Sequence, residues 1–265
     1  MQQRFLVIGG TGVAGGAAIE AVHRHYGKDA HVTALWYGRK QEELAIEGAH
    51  TVLFGDISNP QAWDSIEAAS GRAYTALFYA TALGDVGFPS YQASAGQIAE
   101  SNRLSFDPLP QLEKRFDCAA VFSYSTFYNL AHQRVTYGAM AHSKAALEAW
   151  TTQPGKSRRV CIRAGAFVSA SSQAIKLLVR RNAAKLATSD DPILRQYFTD
   201  VKPSEAVENM QQAVFDEERE QFGDTGTDRE GLILAHLRAF AEPDARFVCV
   251  AGKRVWVEAE PQPVL

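Results

Sequence analysis

A tyrosine and a lysine lie seven residues apart in the segment YGAMAHSK, from Tyr137 to Lys144, and a helix-forming run, AALEAW, follows them. A phenol hydroxyl can donate a proton or a hydrogen bond to a reacting oxygen, and a nearby ammonium group lowers the pKa of the phenol. Seven residues turn a helix by about 700°, so the two side chains return to nearly the same face. Met140, four residues before Lys144, has no acidic proton. The spacing therefore predicts a donor site formed by Tyr137 and Lys144.

A glycine-rich segment, VIGGTGVAGG, follows the first apolar run and opens a helical pattern. Gly9 permits a tight turn, Gly12 lets the backbone approach a pyrophosphate, and Gly15 lets the helix pack closely on the strand. The N-terminus of the helix adds free N–H groups and a positive dipole. The segment predicts a dinucleotide site, to which we also assign Thr11 and Val13.

The end of the second apolar run predicts which dinucleotide is bound. A carboxylate there would bind the 2′-hydroxyl of the adenosine ribose, but Arg39 and Lys40 occupy the place. Two cations attract a 2′-phosphate, so we predict NADP(H) rather than NAD(H). The alternative is that both are surface cations at a helix start. Asp56 and Ile57 are predicted adenine contacts and Thr81 a ribose contact, although Asp56 could instead cap a turn.

Short apolar runs alternate with amphipathic helical segments and must position these groups. The runs cover residues 4–10, 31–38, 50–56, 75–82, 118–125, 159–168 and 246–257. Because they lack the alternation of half-exposed strands, they indicate a parallel sheet covered on both faces. The predicted fold is a single α/β domain over residues 1–265 with a Rossmann-type doubly wound parallel sheet. The strandless region after the sixth run, about 169–243, is predicted to contain a helical lid, with 216–231 as solvated helices and a mobile loop.

The 265-residue chain is 46% hydrophobic and 22% charged, with a net charge of −3. This balance suits one soluble domain and does not favour nucleic acid or anionic membranes as partners. No apolar stretch reaches about 18 residues and a strand begins at once, so we expect a cytoplasmic protein without a membrane span or signal peptide. Cys118, Cys161 and Cys249 lie in separate apolar runs and are predicted to be buried free thiols. The histidine spacing does not predict a metal site.

With the glycine-rich turn and the segment SKAALEAW in place, the chain resembles the short-chain dehydrogenase/reductase superfamily over nearly its whole length. Met140 stands where common members have the tyrosine of a Tyr-x-x-x-Lys pair. The Tyr-x6-Lys spacing in YGAMAHSKAALE is similar to that of the bacterial enoyl-acyl-carrier-protein reductases. The segment AFVSASSQAI, residues 166–175, is similar to one in trans-2-enoyl-CoA reductases. The glycine spacing is closer to that of extended or atypical members.

The resemblance implies an NADPH-dependent oxidoreductase that reduces the double bond of an α,β-unsaturated acyl thioester. The carrier would be coenzyme A or an acyl carrier protein. It also implies a homo-oligomer, for which AALEAW is a candidate interface. A ketone or aldehyde reductase remains an alternative function, as does an NADP-binding protein without catalysis.

The resemblance also implies roles for individual residues. Tyr137 would donate to the thioester oxygen with help from Tyr124, and Lys144 would orient the nicotinamide through its ribose. Ser125 corresponds to the serine that binds the substrate oxygen in common members, with Ser123 as the alternative. In the non-catalytic alternative, Tyr137 only packs beside the helix start.

Four cations in the lid region recur at spacings of four, one and four: Lys176, Arg180, Arg181 and Lys185. On one helix they would form a cationic stripe that steers anionic substrates. A solvated helix face is the alternative, and we favour it.

Overall fold

One sheet of eight strands forms the centre of the molecule. The structure is a computed structural model that describes residues 2–38, 44–167 and 170–263. The strands are β1 (Gln3–Ile8), β2 (Ala30–Trp36), β3 (Thr51–Phe54), β4 (Ala73–Tyr79), β5 (Asp117–Thr126), β6 (Arg158–Ala164), β7 (Phe247–Ala251) and β8 (Arg254–Glu258). Their order across the sheet is β3-β2-β1-β4-β5-β6-β7-β8. The chain therefore crosses to both sides of β1, which confirms the predicted doubly wound sheet.

The first strand shows why the apolar runs lack alternation. Phe5 and Val7 pack into a core on one face of the sheet, whereas Leu6 and Ile8 pack into a second core on the other face. Successive side chains of a strand point to opposite faces, so both faces must be covered by helices. Burial of each such side chain contributes about 1.5–3 kcal/mol to folding.

Helices cover both faces of the sheet. They are α1 (Val13–Tyr26), α2 (Pro60–Ser70), α3 (Ala95–Ser105), α4 (Pro108–Arg115), α5 (Ala131–Arg134), α6 (Gly138–Thr152), α7 (Ala170–Arg181), α8 (Ala183–Ala187), α9 (Pro192–Phe198), α10 (Pro203–Phe222) and α11 (Arg229–Ala241). Apolar side chains of α1 and α11 join the core on one face, and those of α2, α4 and α6 join the core on the other. Asn59 caps α2 just before Pro60, and Ser94 and Gln97 form a capping box at α3.

The last apolar run differs from the prediction of a single parallel strand. It forms two strands, and β8 turns back to pair antiparallel with β7. Gly252 in the connecting turn has a positive φ of 58°, which an L side chain rarely adopts. Asp224 accepts a hydrogen bond from the backbone N–H of Lys253 and so holds the turn from outside. The other strand pairs are parallel.

The region between β6 and β7 contains two different structures. Helices α7 to α10 share a separate apolar core whose members include Val179, Leu186, Leu194, Phe198 and Met210. Val135, just before α6, packs into the same core and links it to the end of β5. In contrast, α11 packs with α1 against the sheet. Residues 170–222 therefore pack around a core of their own, whereas α11 belongs to the sheet core, and a lid formed by this region stays a prediction.

The charged segment 216–231 is more buried than its composition predicted. Glu218 is fully buried, and its carboxylate accepts hydrogen bonds from the Ala166 backbone N–H (2.6 Å) and the Thr225 hydroxyl (2.9 Å). Thr227 is also buried, and its hydroxyl accepts from the Gly252 N–H. Most of the segment is exposed or half-exposed helix and loop, as predicted, but its buried polar groups bond to two other parts of the chain, which the prediction did not foresee.

Two simpler expectations can be compared directly with the structure. Cys118, Cys161 and Cys249 are all buried and free, as predicted. Within the described ranges, none of the helices has a stretch long and apolar enough to cross a membrane.

Candidate active site

The glycine-rich turn lies directly after β1. Gly9 has a φ of 85°, and a Cβ added there would lie 2.7 Å from the carbonyl oxygen of Ala80. A Cβ on Gly15 would overlap the carbonyl oxygen of Gly9. Backbone conformation and close packing therefore require glycine at both positions. Gly12 is the N-cap of α1 and has no side chain to cap the helix, which leaves the N–H groups of the first turn available to a ligand.

A cleft of about 700 Å³ opens over this turn. Its walls come from the turn itself, from the segment after β6 and from the loop before α11, and its lining includes Thr11, Val13, Glu47, Phe167 and Thr227. A Cβ on Gly16 would meet no described atom within 4 Å, so the first turn of α1 faces open space. The cleft thus joins the predicted phosphate turn to the end of β6.

The predicted adenosine contacts lie beside the turn but outside this cleft. Asp56 accepts hydrogen bonds from the backbone N–H and hydroxyl of Ser58, at 2.9 and 2.7 Å. Ile57 is buried, and its carbonyl accepts a hydrogen bond from the indole of Trp63. The backbone of Thr81 approaches Gly9 closely. Arg39 and Lys40 lie outside the described residues.

Lys144 is held at the end of β5. Its side chain is 8% exposed, and its Nζ donates a hydrogen bond of 2.9 Å to the backbone carbonyl of Tyr124. In the part of the chain that the structure describes, no carboxylate forms an ion pair with this amine. Burial disfavours the charged form and lowers the Lys144 pKa to about 8. The ammonium group therefore retains donors for a ligand.

Tyr137 immediately precedes α6 and is partly buried. The segment that contains Asp85 and Phe88 lies against the start of α6. The Gly138 N–H donates to the carbonyl of Phe88, and the Ala139 N–H donates to that of Asp85. The Tyr137 hydroxyl makes no hydrogen bond within the described ranges. Burial raises the Tyr137 pKa, whereas we expected Lys144 to lower it. That expectation is wrong for the protein without a ligand, since burial outweighs any effect of the lysine.

Met140, one turn into α6, is 8% exposed. Its sulfur lies 4.0 Å from the hydroxyl of Ser105 on α3, and its methyl group approaches Gly84. The position four residues before Lys144 therefore serves packing between α6 and its neighbours.

Comparisons with known proteins were made at the level of sequence and of structure. No protein-family model matches the chain, and no curated protein matches it. Several solved structures do. An NAD⁺-bound xylitol dehydrogenase superposes with a TM-score of 0.63 at 15% identity, over 94% of this chain and 98% of that chain. A short-chain dehydrogenase/reductase from Saccharomyces cerevisiae gives 0.59 at 13%, over 93% and 95%.

This chain has the fold of the short-chain dehydrogenases/reductases. An NADPH-dependent 3-quinuclidinone reductase from Rhodotorula rubra also shares the fold, with a TM-score of 0.50 at 16% identity, over 69% of this chain and 77% of that chain. In the short-chain dehydrogenase/reductase fold, as in other open α/β sheets, ligands bind beyond the carboxyl ends of the strands. Lys144 and the glycine-rich turn both lie at that edge.

Tyr124 does not take the position predicted for a second active-site tyrosine. Its hydroxyl lies in the core on the α11 face, 2.8 Å from Nε2 of His236. Nδ1 of His236 lies 2.6 Å from the Leu232 carbonyl, so Nδ1 carries the proton and Nε2 accepts from Tyr124. Strand alternation explains the difference, because α6 lies on the other face of β5. Only the backbone carbonyl of Tyr124 reaches Lys144.

The two candidate serines are bonded to backbone. Ser125 is 5% exposed and donates to the Thr126 carbonyl at 3.3 Å. Ser123 is fully buried and donates to the Val160 carbonyl at 3.5 Å. Both bonds are long, and Ser125 is the nearer of the two to the end of β5. A role for Ser125 in substrate binding stays a prediction.

Polar contacts beside Lys144 were not predicted from the sequence. The Ser143 hydroxyl donates to Oδ1 of Asn102 and lies 2.7 Å from the Ser101 hydroxyl, which joins α6 to α3. On the next turn of α6, Glu148 is fully buried and forms an ion pair with Arg163 of β6. The sequence did contain a signal for this ion pair, because Glu148 and Arg163 both stand in otherwise apolar segments. Charged residues in such segments are rarely buried without a partner.

Two surface predictions need correction. In AALEAW, Leu147 and Trp150 pack in the core of the chain itself, so the helix does not offer them as an interface. The cationic stripe is interrupted, because Lys176 forms an ion pair with Glu208 at 2.9 Å and α7 ends at Arg181. Lys185 lies on the separate helix α8.

Proposed function

We propose that this protein is an NADPH-dependent oxidoreductase that reduces the double bond of an α,β-unsaturated acyl thioester. One observation carries the proposal: among the residues that the structure describes, the Tyr137 hydroxyl at the start of the lysine helix has no hydrogen-bond partner, whereas Met140 is packed where a closer donor would stand. The fold shared with a reductase and a dehydrogenase supports oxidoreduction as the class of reaction.

The residues at the sheet edge fit a nicotinamide dinucleotide. The glycine-rich turn and the open first turn of α1 would hold the pyrophosphate through backbone N–H groups. Lys144 would bind the nicotinamide ribose through the donors that Tyr124 leaves free. Arg39 and Lys40 would bind the 2′-phosphate that distinguishes NADPH. When bound, the cofactor supplies the hydride.

The spacing of Tyr137 and Lys144 favours conjugate reduction. Seven residues of helix rise about 4.5 Å more than four do. In a ketone the oxygen is on the carbon that accepts hydride, whereas in an enoyl thioester it is two carbons away. A hydroxyl one turn further from Lys144 can reach the more distant oxygen and donate to it as negative charge develops there. The burial of Tyr137 strengthens such a hydrogen bond, because less water screens it.

Paired substrates test the proposal. Crotonyl and acetoacetyl thioesters of coenzyme A differ in offering an alkene or a ketone on the same carrier. We expect NADPH oxidation with the crotonyl compound and little with the acetoacetyl compound. Tighter binding of NADPH than of NADH, lost in Arg39→Ala, would support the cofactor assignment. Equal affinities of the wild type for both dinucleotides would contradict it.

Carbonyl reduction is the second candidate. The names of the xylitol dehydrogenase and the quinuclidinone reductase, which share the fold, favour it, and Ser125 would then bind the carbonyl oxygen. Turnover of acetoacetyl thioesters or simple ketones without crotonyl turnover would decide for it. A coenzyme A or acyl-carrier-protein thioester as the natural substrate, and a homo-oligomeric state, are part of the main proposal.

A further inference from the structure

The last described residues, 259–263, form a segment that we name the C-terminal strap. It leaves β8 and returns to the end of β5 and to the second half of α6. Gln262 donates three hydrogen bonds, two to Glu148 and one to Thr126. The Pro263 carbonyl accepts a 2.7 Å hydrogen bond from the side chain of Asn129. The strap thus lies against the same two elements that hold Lys144.

The first contact of Gln262 is with the buried carboxylate of Glu148. Arg163 donates to both oxygens of that carboxylate, at 3.0 and 2.7 Å. Gln262 donates to the same two oxygens, through its backbone N–H at 2.8 Å and its side-chain amide at 2.7 Å. Half of the hydrogen bonds to Glu148 described here therefore come from the strap. A buried charge needs such donors, because a missing one leaves desolvation uncompensated.

The second contact is with β5. The side-chain amide of Gln262 also donates to the carbonyl of Thr126, the last residue of the strand, at 2.8 Å. Thr126 lies two residues beyond Tyr124, whose carbonyl accepts from Lys144. Glu148 follows Lys144 by four residues, which is about one helical turn. One side chain therefore joins α6 and β5 close to Lys144 on both elements.

We propose that Gln262 is a positioning residue for Lys144 in the proposed reaction. It fixes the catalytic helix against β5, so that the amine stays at the Tyr124 carbonyl with its remaining donors directed to the nicotinamide ribose. Gln262 itself does not touch the reacting atoms. The inference rests on the proposed function, in which Lys144 binds the cofactor.

The test measures NADPH affinity by fluorescence between pH 7 and 10, which requires no substrate. In the wild type, affinity should fall above about pH 8 as Lys144 loses its proton. Cys161 is the titratable neighbour that also acts on this pKa, and it raises it. In Gln262→Ala the helix is less firmly held and water reaches the amine. We expect about tenfold weaker binding at pH 7 and a decline that begins at higher pH, because hydration favours the charged form.

Asn129→Ala is the matched control. It removes a different strap contact, the bond to the Pro263 carbonyl, without touching Glu148 or Thr126, and it should leave both the affinity and its pH dependence unchanged. The onset of the decline does not depend on how much protein is folded, so it separates positioning from general destabilisation. If Gln262→Ala does not fold, Gln262→Asn, which keeps a shorter amide, takes its place.

The outcomes separate the two proposals. Wild-type binding of NADPH combined with an unchanged affinity and pH onset in the Gln262 variant would overturn the positioning role alone. A wild type that binds neither NADPH nor NADH would overturn the proposed function, and the positioning role with it. Weaker binding with an unmoved onset would mean that Gln262 acts only on stability, which also overturns the inference.

Discussion

Tyr124 near the end of β5 and Tyr137 at the start of the Lys144 helix have hydroxyls in opposite surroundings. The Tyr124 hydroxyl is bonded to His236 in the core, and burial raises its pKa strongly. The Tyr137 hydroxyl has no hydrogen-bond partner in the described parts of the chain. A polar group whose partners are all present stabilises the fold, whereas an unbonded donor at the binding edge is available to a ligand. The comparison indicates a structural role for the Tyr124 hydroxyl and supports the role that we propose for Tyr137.

Removal of the Tyr137 hydroxyl and of the Tyr124 hydroxyl should give the largest difference in turnover between two variants. Tyr137→Phe should lower turnover of the crotonyl thioester by about a hundredfold or more, because the donor to the developing charge is lost. Its fold and NADPH affinity should not change. Steady-state kinetics and thermal unfolding would measure both effects.

Tyr124→Phe is the matched variant. It leaves Nε2 of His236 without a donor and should cost about 1–3 kcal/mol of stability. Turnover should change far less than in Tyr137→Phe, because the Tyr124 carbonyl that holds Lys144 is kept. Wild-type turnover in Tyr137→Phe, or a loss of turnover larger in Tyr124→Phe, would break the comparison.

The glycine-rich turn and Tyr124 show which features could be predicted from the sequence and which could not. The glycine-rich turn was predictable because Gly9 and Gly15 meet steric requirements of the backbone itself. The face of Tyr124 was not, because β5 reads CAAVFSYS and is buried on both sides, so the sequence carries no alternation from which a face could be assigned. His236, whose bond to the Tyr124 hydroxyl shows which face the side chain takes, is 112 residues away in the chain.

The burial of charged residues was the other feature that could not be predicted from the sequence. The sequence around Glu218 is charged and predicts a solvated surface, but Ala166 and Thr225 provide donors that permit burial. Likewise, Glu148 in AALEAW pairs with Arg163 from the next strand. Partners brought together by the tertiary fold cannot be read from local pattern, whereas the order of strands and helices can.

Lys144 sharpens the comparison, because the fold destabilises the charged form of this proposed cofactor-binding residue. Its folded pKa of about 8 is below the ordinary value of 10.5, so burial of the charge opposes folding at pH 7. Lys144→Met should lose turnover and weaken NADPH binding, yet be more stable at pH 7 by about 1–2 kcal/mol. The lost bond to the Tyr124 carbonyl offsets part of the gain.

The pH dependence of this effect has a defined direction. Between pH 8 and 10.5 the unfolded wild type holds more protons on Lys144 than the folded protein does, so wild-type stability rises with pH there. The advantage of Lys144→Met should therefore shrink over that range in urea unfolding. A variant less stable than the wild type at pH 7 would show that the lysine is structural after all.

His236 tests the structural side of the comparison, through an effect that is seen only in acid. Burial lowers its pKa to about 4, from an ordinary value of 6.5. Below pH 6.5 the unfolded chain binds a proton at this histidine that the folded protein refuses, so stability should fall as the pH drops from 6.5 towards 4. At pH 5 the loss amounts to about 2 kcal/mol.

In His236→Gln the side-chain oxygen can still accept from the Tyr124 hydroxyl but does not titrate, so this part of the acid sensitivity should disappear. His25→Gln, at the exposed end of α1, removes a histidine outside the core and should keep it. Urea unfolding of the three proteins at pH 7, 6 and 5 would measure the difference. The same acid loss in His236→Gln as in the wild type would mean that His236 is not held neutral by the core, and that the bond to Tyr124 is not the stable contact described here.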